Sequence, residues 1–182
     1  MAATPARTFL LVDGYNIIGT WTHLKQVRDR HGLEMARNDL LETLLNYSAF
    51  EGYVTEVVFD AQYQNTPGYR ELINPQFSVY YTAFAQTADT YIEKTCAAQC
   101  SPFKSALKRI LVATSDRLHQ QMVVGYGAEW LSAQQLESAV AQANHQTQRQ
   151  TRPSKNSRGR LLFDSLDPQA QQRLSQWRFG IR

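Results

Sequence analysis

Four aspartates stand at positions where chain elements end or begin. Asp13 follows the apolar run Phe-Leu-Leu-Val, Asp60 follows Val-Val-Phe, and Asp116 closes Leu-Val-Ala-Thr-Ser. Asp89 lies two residues after the potential helix cap Thr87, and Glu93 falls one helical turn beyond it. Any one of these acids is adequately explained as a cap or turn former. As a set they suggest a shared pocket, in which two carboxylates about 5 Å apart would repel by roughly 3 kcal/mol at an effective dielectric of 20. A divalent cation relieves that repulsion. Carboxylate ligation without matched His or Cys pairs favours Mg²⁺ or Mn²⁺ over zinc. Such a site suits the hydrolysis of phosphodiesters, because the cation holds and acidifies the attacking water.

The elements that must position these acids are short apolar runs alternating with helical patterns, the signature of a mostly parallel sheet flanked by helices. Five strands are predicted, at 8–12, 54–59, 77–81, 110–113 and, more weakly, 128–131. Parallel strands would bring Asp13, Asp60 and Asp116 to one edge, where open α/β sheets carry their sites. Leu33, Arg37, Leu40, Leu41, Leu44, Leu45 and Ser48 follow a 3.6-residue period that ends at Gly52, which predicts a crossover helix. Further helices are expected from Thr87 to about Cys100 and from Asp116 to Gly125, and one opens at the capping box Ser132/Gln135. The stretch from Gln62 to Pro75 reads as a polar loop.

The chain has 182 residues with 43% apolar content, enough for one core. It divides into a domain at 1–148, a basic mobile loop at 149–160 and a C-terminal segment at 161–182 whose short helix, with Leu174 and Trp177, docks on the domain. Arg149, Arg152, Lys155, Arg158 and Arg160 give residues 145–160 five positive charges and no acid. The whole chain is at +3, so the remainder carries −2. This concentration points to a polyanionic partner such as RNA. Cys96 and Cys100, four apart on a predicted helix, read as reduced structural thiols. The first residues lack the apolar core of a signal peptide and no run is long enough to span a bilayer, so a soluble, cytoplasmic protein without a membrane partner is expected.

The most specific local string is Asp13-Gly14-Tyr15-Asn16. Gly14 permits a sharp turn after the strand, and Asn16 offers an amide to a metal-bound water or a phosphate. Together with Val58-Phe59-Asp60-Ala61, Thr87-Ala88-Asp89-Thr90-Tyr91-Ile92-Glu93, Ala113-Thr114-Ser115-Asp116 and Gly125-Tyr126-Gly127-Ala128, this string makes the chain resemble the YacP-like branch of NYN domains over most of residues 8–140. The resemblance implies a PIN-like three-layer α/β fold and endonucleolytic cleavage of RNA. It also implies Asp13, Asp89 and Asp116 as principal metal ligands, Asp60 as a supporting carboxylate and Asn16 as a polar member of the site; by position, Glu93 and Ser115 are further candidates for support. Relatives carry acids where this chain has Gln86 and His119. His119, three residues after Asp116 on a predicted helix, could approach the site as a proton donor, but a surface position is the commoner case and the one expected.

For the substrate surface, Tyr63, Tyr69 and Arg70 lie in the loop after Asp60, where aromatic rings stack on unpaired bases. Arg37, Lys104, Lys108 and Arg109 read as ordinary solvated charges. The function that follows is a metal-dependent endoribonuclease acting on RNA, including ribosome-bound RNA. The alternative is a non-catalytic RNA-binding or ribosome-associated module that works through its basic segment. A haloacid-dehalogenase-type phosphatase is disfavoured because Tyr15 occupies the position of its second acid. A Rossmann nucleotide-binding protein is disfavoured because no glycine-rich phosphate loop follows Gly14.

Overall fold

Strand-forming runs rich in Val, Leu, Ile and Phe, buried on both faces, build a central sheet in a computed structural model that describes residues 7–60, 67–99 and 107–151. Among these residues the strands are β1 (Arg7–Asp13), β2 (Val54–Phe59), β3 (Tyr69–Asn74), β4 (Phe77–Tyr81), β5 (Leu107–Ala113) and β6 (Glu129–Leu131). The helices are α1 (Gly14–Thr20), α2 (Thr22–His31), α3 (Leu33–Glu51), α4 (Ala88–Gln99), α5 (Arg117–Gly125) and α6 (Ala133–Thr151). The strand order is β3-β4-β2-β1-β5-β6, and every pairing is parallel except that of β3 with β4.

The sheet thus has six strands rather than five. The additional one is β3, which arises within the stretch expected to be a polar loop. It pairs on one side only and buries little beyond Ile73, so its period-two signal is faint. Helices α1 and α2 also precede the anticipated crossover helix. That helix, α3, runs as expected and stops at Gly52, whose left-handed φ of 71° suits a residue without Cβ. The capping box forms reciprocally: Gln135 N donates to Ser132 Oγ at 3.1 Å, and Ser132 N donates to Gln135 Oε1 at 2.8 Å. Helix α6 continues to Thr151, three residues into the segment assigned to a loop. The rest of the basic segment, the C-terminal segment and Cys100 lie outside the described residues.

Alternation along the strands divides the core between the two faces of the sheet. Leu10, Val12, Val57, Phe59 and Val79 pack against Ile17, Ile18, Leu24, Leu40, Leu44, Leu136 and Val140, drawn from α1, α2, α3 and α6. Phe9, Leu11, Val58, Ile110 and Val112 pack against Ala88, Ile92 and Cys96 of α4 and Val123 of α5. Trp21, fully buried between α1 and α2, donates from Nε1 to the carbonyl of Ala133 at 2.8 Å and ties the start of α6 to this layer. Among the described residues no helix is long and apolar enough to cross a membrane.

Candidate functional site

From β1 the chain crosses to β2 through helices on one face of the sheet, while β5 leads into α5 on the other. The crevice between the ends of β1 and β5 is therefore a topological switch point. Asp13 closes β1 with the same parity as Phe9 and Leu11, so its carboxylate belongs to the face covered by α4 and α5. Helix α1 begins at the next residue. A Cβ on Gly14 would stand 2.2 Å from Phe59 Cε1, so only glycine lets the helix start this close to the end of β2.

Asp13 is 9% exposed and caps α1 by accepting from Asn16 N at 3.3 Å. Burial pushes its carboxyl from the ordinary 3.8 up to about 7. The Asn16 N–H opposes this shift, as does His119, while the charges of Asp89 and Asp60 add to it.

Asp89 enters from the first turn of α4. The start of that helix is held by Asp60, whose Oδ1 accepts from Ala88 N, and by Thr87, whose Oγ accepts from Thr90 N at 3.2 Å. Asp60 therefore does for α4 what Asp13 does for α1. Burial raises its pKa, the Ala88 N–H lowers it, and Asp89 raises it further.

His119 corrects the sequence expectation. It is not a surface residue: it lies on the inner side of α5 with a side chain 1% exposed, and its Nδ1 is 2.9 Å from Asp89 Oδ1. That contact, with the ring's charge beside it, holds Asp89 below the usual carboxylate range. Burial alone would lower the pKa of His119, but Asp89, Asp13 and Glu93 outweigh it and raise it. The Nδ1–Oδ1 contact is a close ion pair, and the other ring nitrogen, Nε2, has no hydrogen-bond partner. One ligating atom from each of Asp13, Asp89 and His119 lies within 4.8 Å of the other two.

Among the described residues, the other expected site residues do not belong to this trio. Asp116 is outside it: its Oδ1 caps α5, accepting from Leu118 N at 2.8 Å and His119 N at 3.3 Å. Asn16 Oδ1 accepts from Ser115 N at 2.8 Å, which joins the start of α1 to the end of β5 across the switch point. Ser115 Oγ in turn accepts from Ala133 N at 3.2 Å. Glu93 is half-buried and acts on His119 through its charge. Arg70 Nε meets Glu56 Oε2 at 2.7 Å, and its guanidinium donates to the Tyr91 hydroxyl at 2.8 Å. Arg149 is exposed near the end of α6. Tyr63, Arg152, Lys155, Arg158 and Arg160 lie outside the described residues, as do Lys104 and the side chain of Lys108. Of the other cations, Arg37 donates to the Tyr15 hydroxyl at 3.3 Å, and Arg109 makes a paired contact with Glu129 at 2.7 and 2.6 Å.

Sequence reading also missed Glu56, a buried acid in the middle of β2. It accepts from Arg70, from the Tyr91 hydroxyl at 2.7 Å and from Ser78 Oγ at 3.1 Å, and so pins α4 to the sheet. The available signal was a charge inside an otherwise apolar strand, which demands partners.

Two kinds of comparison bear on this arrangement. The chain is 32% identical over 173 residues to a protein described as uncharacterized protein YacP from Bacillus subtilis (strain 168), covering 94% of this chain and 96% of the relative. It is also similar to crystal structures of Rae1 (YacP) from Bacillus subtilis. A mutant form matches with a TM-score of 0.68 at 30% identity, covering 92% of this chain and 98% of that one. A second structure matches with a TM-score of 0.62 at 30% identity, covering 94% and 95%. The sequence matches the YacP-like NYN domain over residues 10–179, nearly its whole length. With its fold and its acidic group at the sheet edge, the chain belongs to the YacP-like NYN domain family.

Proposed function

We propose that this protein is a metal-dependent endoribonuclease of the cytoplasm that hydrolyses RNA phosphodiester bonds, ribosome-bound RNA included. The observation that carries the reading is the convergence of Asp13, Asp89 and His119 within 4.8 Å at the switch point of the sheet. The site fits a cation on its own chemistry. One buried carboxyl is held at about 7 by its surroundings, a second carboxylate faces it, and a buried imidazole has one ring nitrogen, Nε2, with no hydrogen-bond partner. Each of these costs is relieved by a bound cation. Membership of the family adds support for a nuclease role.

Asp13 and Asp89 are the residues that would hold Mg²⁺ or Mn²⁺. The bound cation would supply a water acidified for attack and neutralise charge on the phosphoryl group. Asp60 fixes the start of α4 and with it Asp89, and Asp116 fixes the start of α5 and with it His119. Asn16 holds the ends of β1 and β5 together and leaves its amide N–H₂ for a phosphate oxygen or water. Arg149, Arg152, Lys155, Arg158 and Arg160 bring RNA to a pocket that would otherwise repel it, with Tyr63 and Arg70 adding contacts to RNA.

Cleavage of single-stranded and structured RNA, titrated with Mg²⁺ and with Mn²⁺, tests the reading. Asp13→Asn and Asp89→Asn are each expected to reduce turnover by at least a hundredfold. Turnover indifferent to metal and to both substitutions sinks it. If deletion of 149–182 then abolishes RNA binding, the protein is a binding module instead.

A further inference from the structure

Asp13 and Asp89 alone do not select one divalent cation over another, whereas a nitrogen donor such as His119 beside them can. A side chain 1% exposed whose Nε2 lacks any hydrogen-bond partner is an exception to the rule that buried polar groups are satisfied. Its Nδ1 meets Asp89 Oδ1 at 2.9 Å, while its Nε2 has no partner. Two donors bound to one cation in cis positions at about 2.1 Å stand about 3 Å apart, and two in trans positions about 4.2 Å. The separation of 2.9 Å matches the shorter spacing, and a trio spread over no more than 4.8 Å would have to draw in slightly to reach the longer one.

We propose that His119 ligates the metal through a ring nitrogen, so that the site has mixed oxygen and nitrogen donors and takes Mn²⁺ in preference to Mg²⁺. Magnesium is a hard cation that strongly favours oxygen, whereas imidazole is a good donor to first-row transition metals. Two carboxylates keep the site suited to manganese, whose chemistry favours carboxylate and water ligands. Asp116 contributes indirectly: by capping α5 at Leu118 and His119 it fixes the backbone that aims the ring. The idea rests on the reading of Asp13 and Asp89 as metal ligands, and its test separates the two.

The experiment is electron spin-echo spectroscopy of Mn²⁺ bound to the full-length protein, with Mn²⁺ and Mg²⁺ affinities measured by calorimetry. The expected result is a directly coordinated ¹⁴N coupling that changes to the ¹⁵N pattern when histidine is ¹⁵N-labelled. His119→Gln should abolish the coupling, and His119→Asp should lower the Mn²⁺-to-Mg²⁺ affinity ratio by about tenfold or more. His23, His31 and His145 are exposed on α2 and α6. A protein with those three replaced by glutamine should retain the coupling, which keeps the assignment open to test even if the His119 variants misfold. Mn²⁺ binding that is lost in Asp13→Asn and Asp89→Asn but never shows nitrogen coupling overturns the role of His119 and leaves the cation reading standing. Absence of Mn²⁺ and Mg²⁺ binding, or binding that survives both aspartate substitutions, overturns the two together.

Discussion

Asp13 should be a source of instability in the metal-free protein, and replacing it with asparagine should make that form more stable. Burial moves its carboxyl from 3.8 to about 7. Between those values the unfolded chain has lost the proton and the folded protein keeps it. The folded state is then the better proton binder, and stability falls as the pH rises through the window. Each tenfold change in proton affinity is worth about 1.4 kcal/mol, so the displacement amounts to about 4 kcal/mol at most once the pH exceeds 7. Asparagine keeps an oxygen to accept from Asn16 N and carries no charge. In EDTA the gain of Asp13→Asn over the wild type should therefore grow by about 2–3 kcal/mol between about pH 5 and pH 7 and then level off. In a chain of this length that growth corresponds to about 5–10 °C in Tm. Paired urea and thermal denaturation series at fixed ionic strength measure it. Adding Mn²⁺ should narrow or reverse the gap, because the cation binds only the folded wild type. A variant less stable than the wild type at pH 8 in EDTA, or a gap with no dependence on pH, would refute the reasoning.

Three further substitutions probe the supports of the site. Asp60→Ala removes the acceptor for Ala88 N and should cost about 1 kcal/mol in denaturation while lowering RNA cleavage through Asp89. Gly14→Ala drives a methyl into the buried Phe59 ring, with an expected cost of about 1–3 kcal/mol, and Phe59→Leu in the same chain should recover part of it. Arg70→Ala leaves Glu56, 2% exposed, without its cation; because Arg70 itself is half-exposed the cost should be about 2 kcal/mol rather than that of a fully buried pair. Unchanged stability with weakened RNA binding would instead make Arg70 chiefly a phosphate contact.

The parts of this structure that were legible in the sequence are those with strong periodicity or strong stops. Strands β1, β2, β4 and β5, helix α3 with Gly52, and the Ser132/Gln135 box all announce themselves through local pattern. Helix α2 does not, because Leu24 is its single buried residue and its apolar stripe is too thin to stand out. Strand β3 is hidden for the same reason, being an edge strand with its polar residues in solvent. In the site, the positions of Asp13 and Asp89 follow from strand ends and a helix start, features that sequence spacing records. The burial of His119 depends on which side of α5 faces α4, and Asp116, three residues away, gives no hint of it. The capping of α5 by Asp116 was one of two roles its position allowed, and only geometry shows Oδ1 turned towards the helix.

The strand order has a consequence for how this protein comes into being. Strand β1 is made first and ends up in the middle of the sheet, yet one of its two neighbours, β5, begins about a hundred residues later. The bond from Ser115 N to Asn16 Oδ1 spans 99 positions of sequence, and Asp13 meets His119 only when that loop has closed. Contacts this distant form late, after the entropy of closing a long loop has been met. During synthesis the emerging chain would carry Asp13, Asp60 and Asp89 well before α5 exists to complete the trio. A nascent chain that has not yet presented α5 thus lacks His119 and with it the trio.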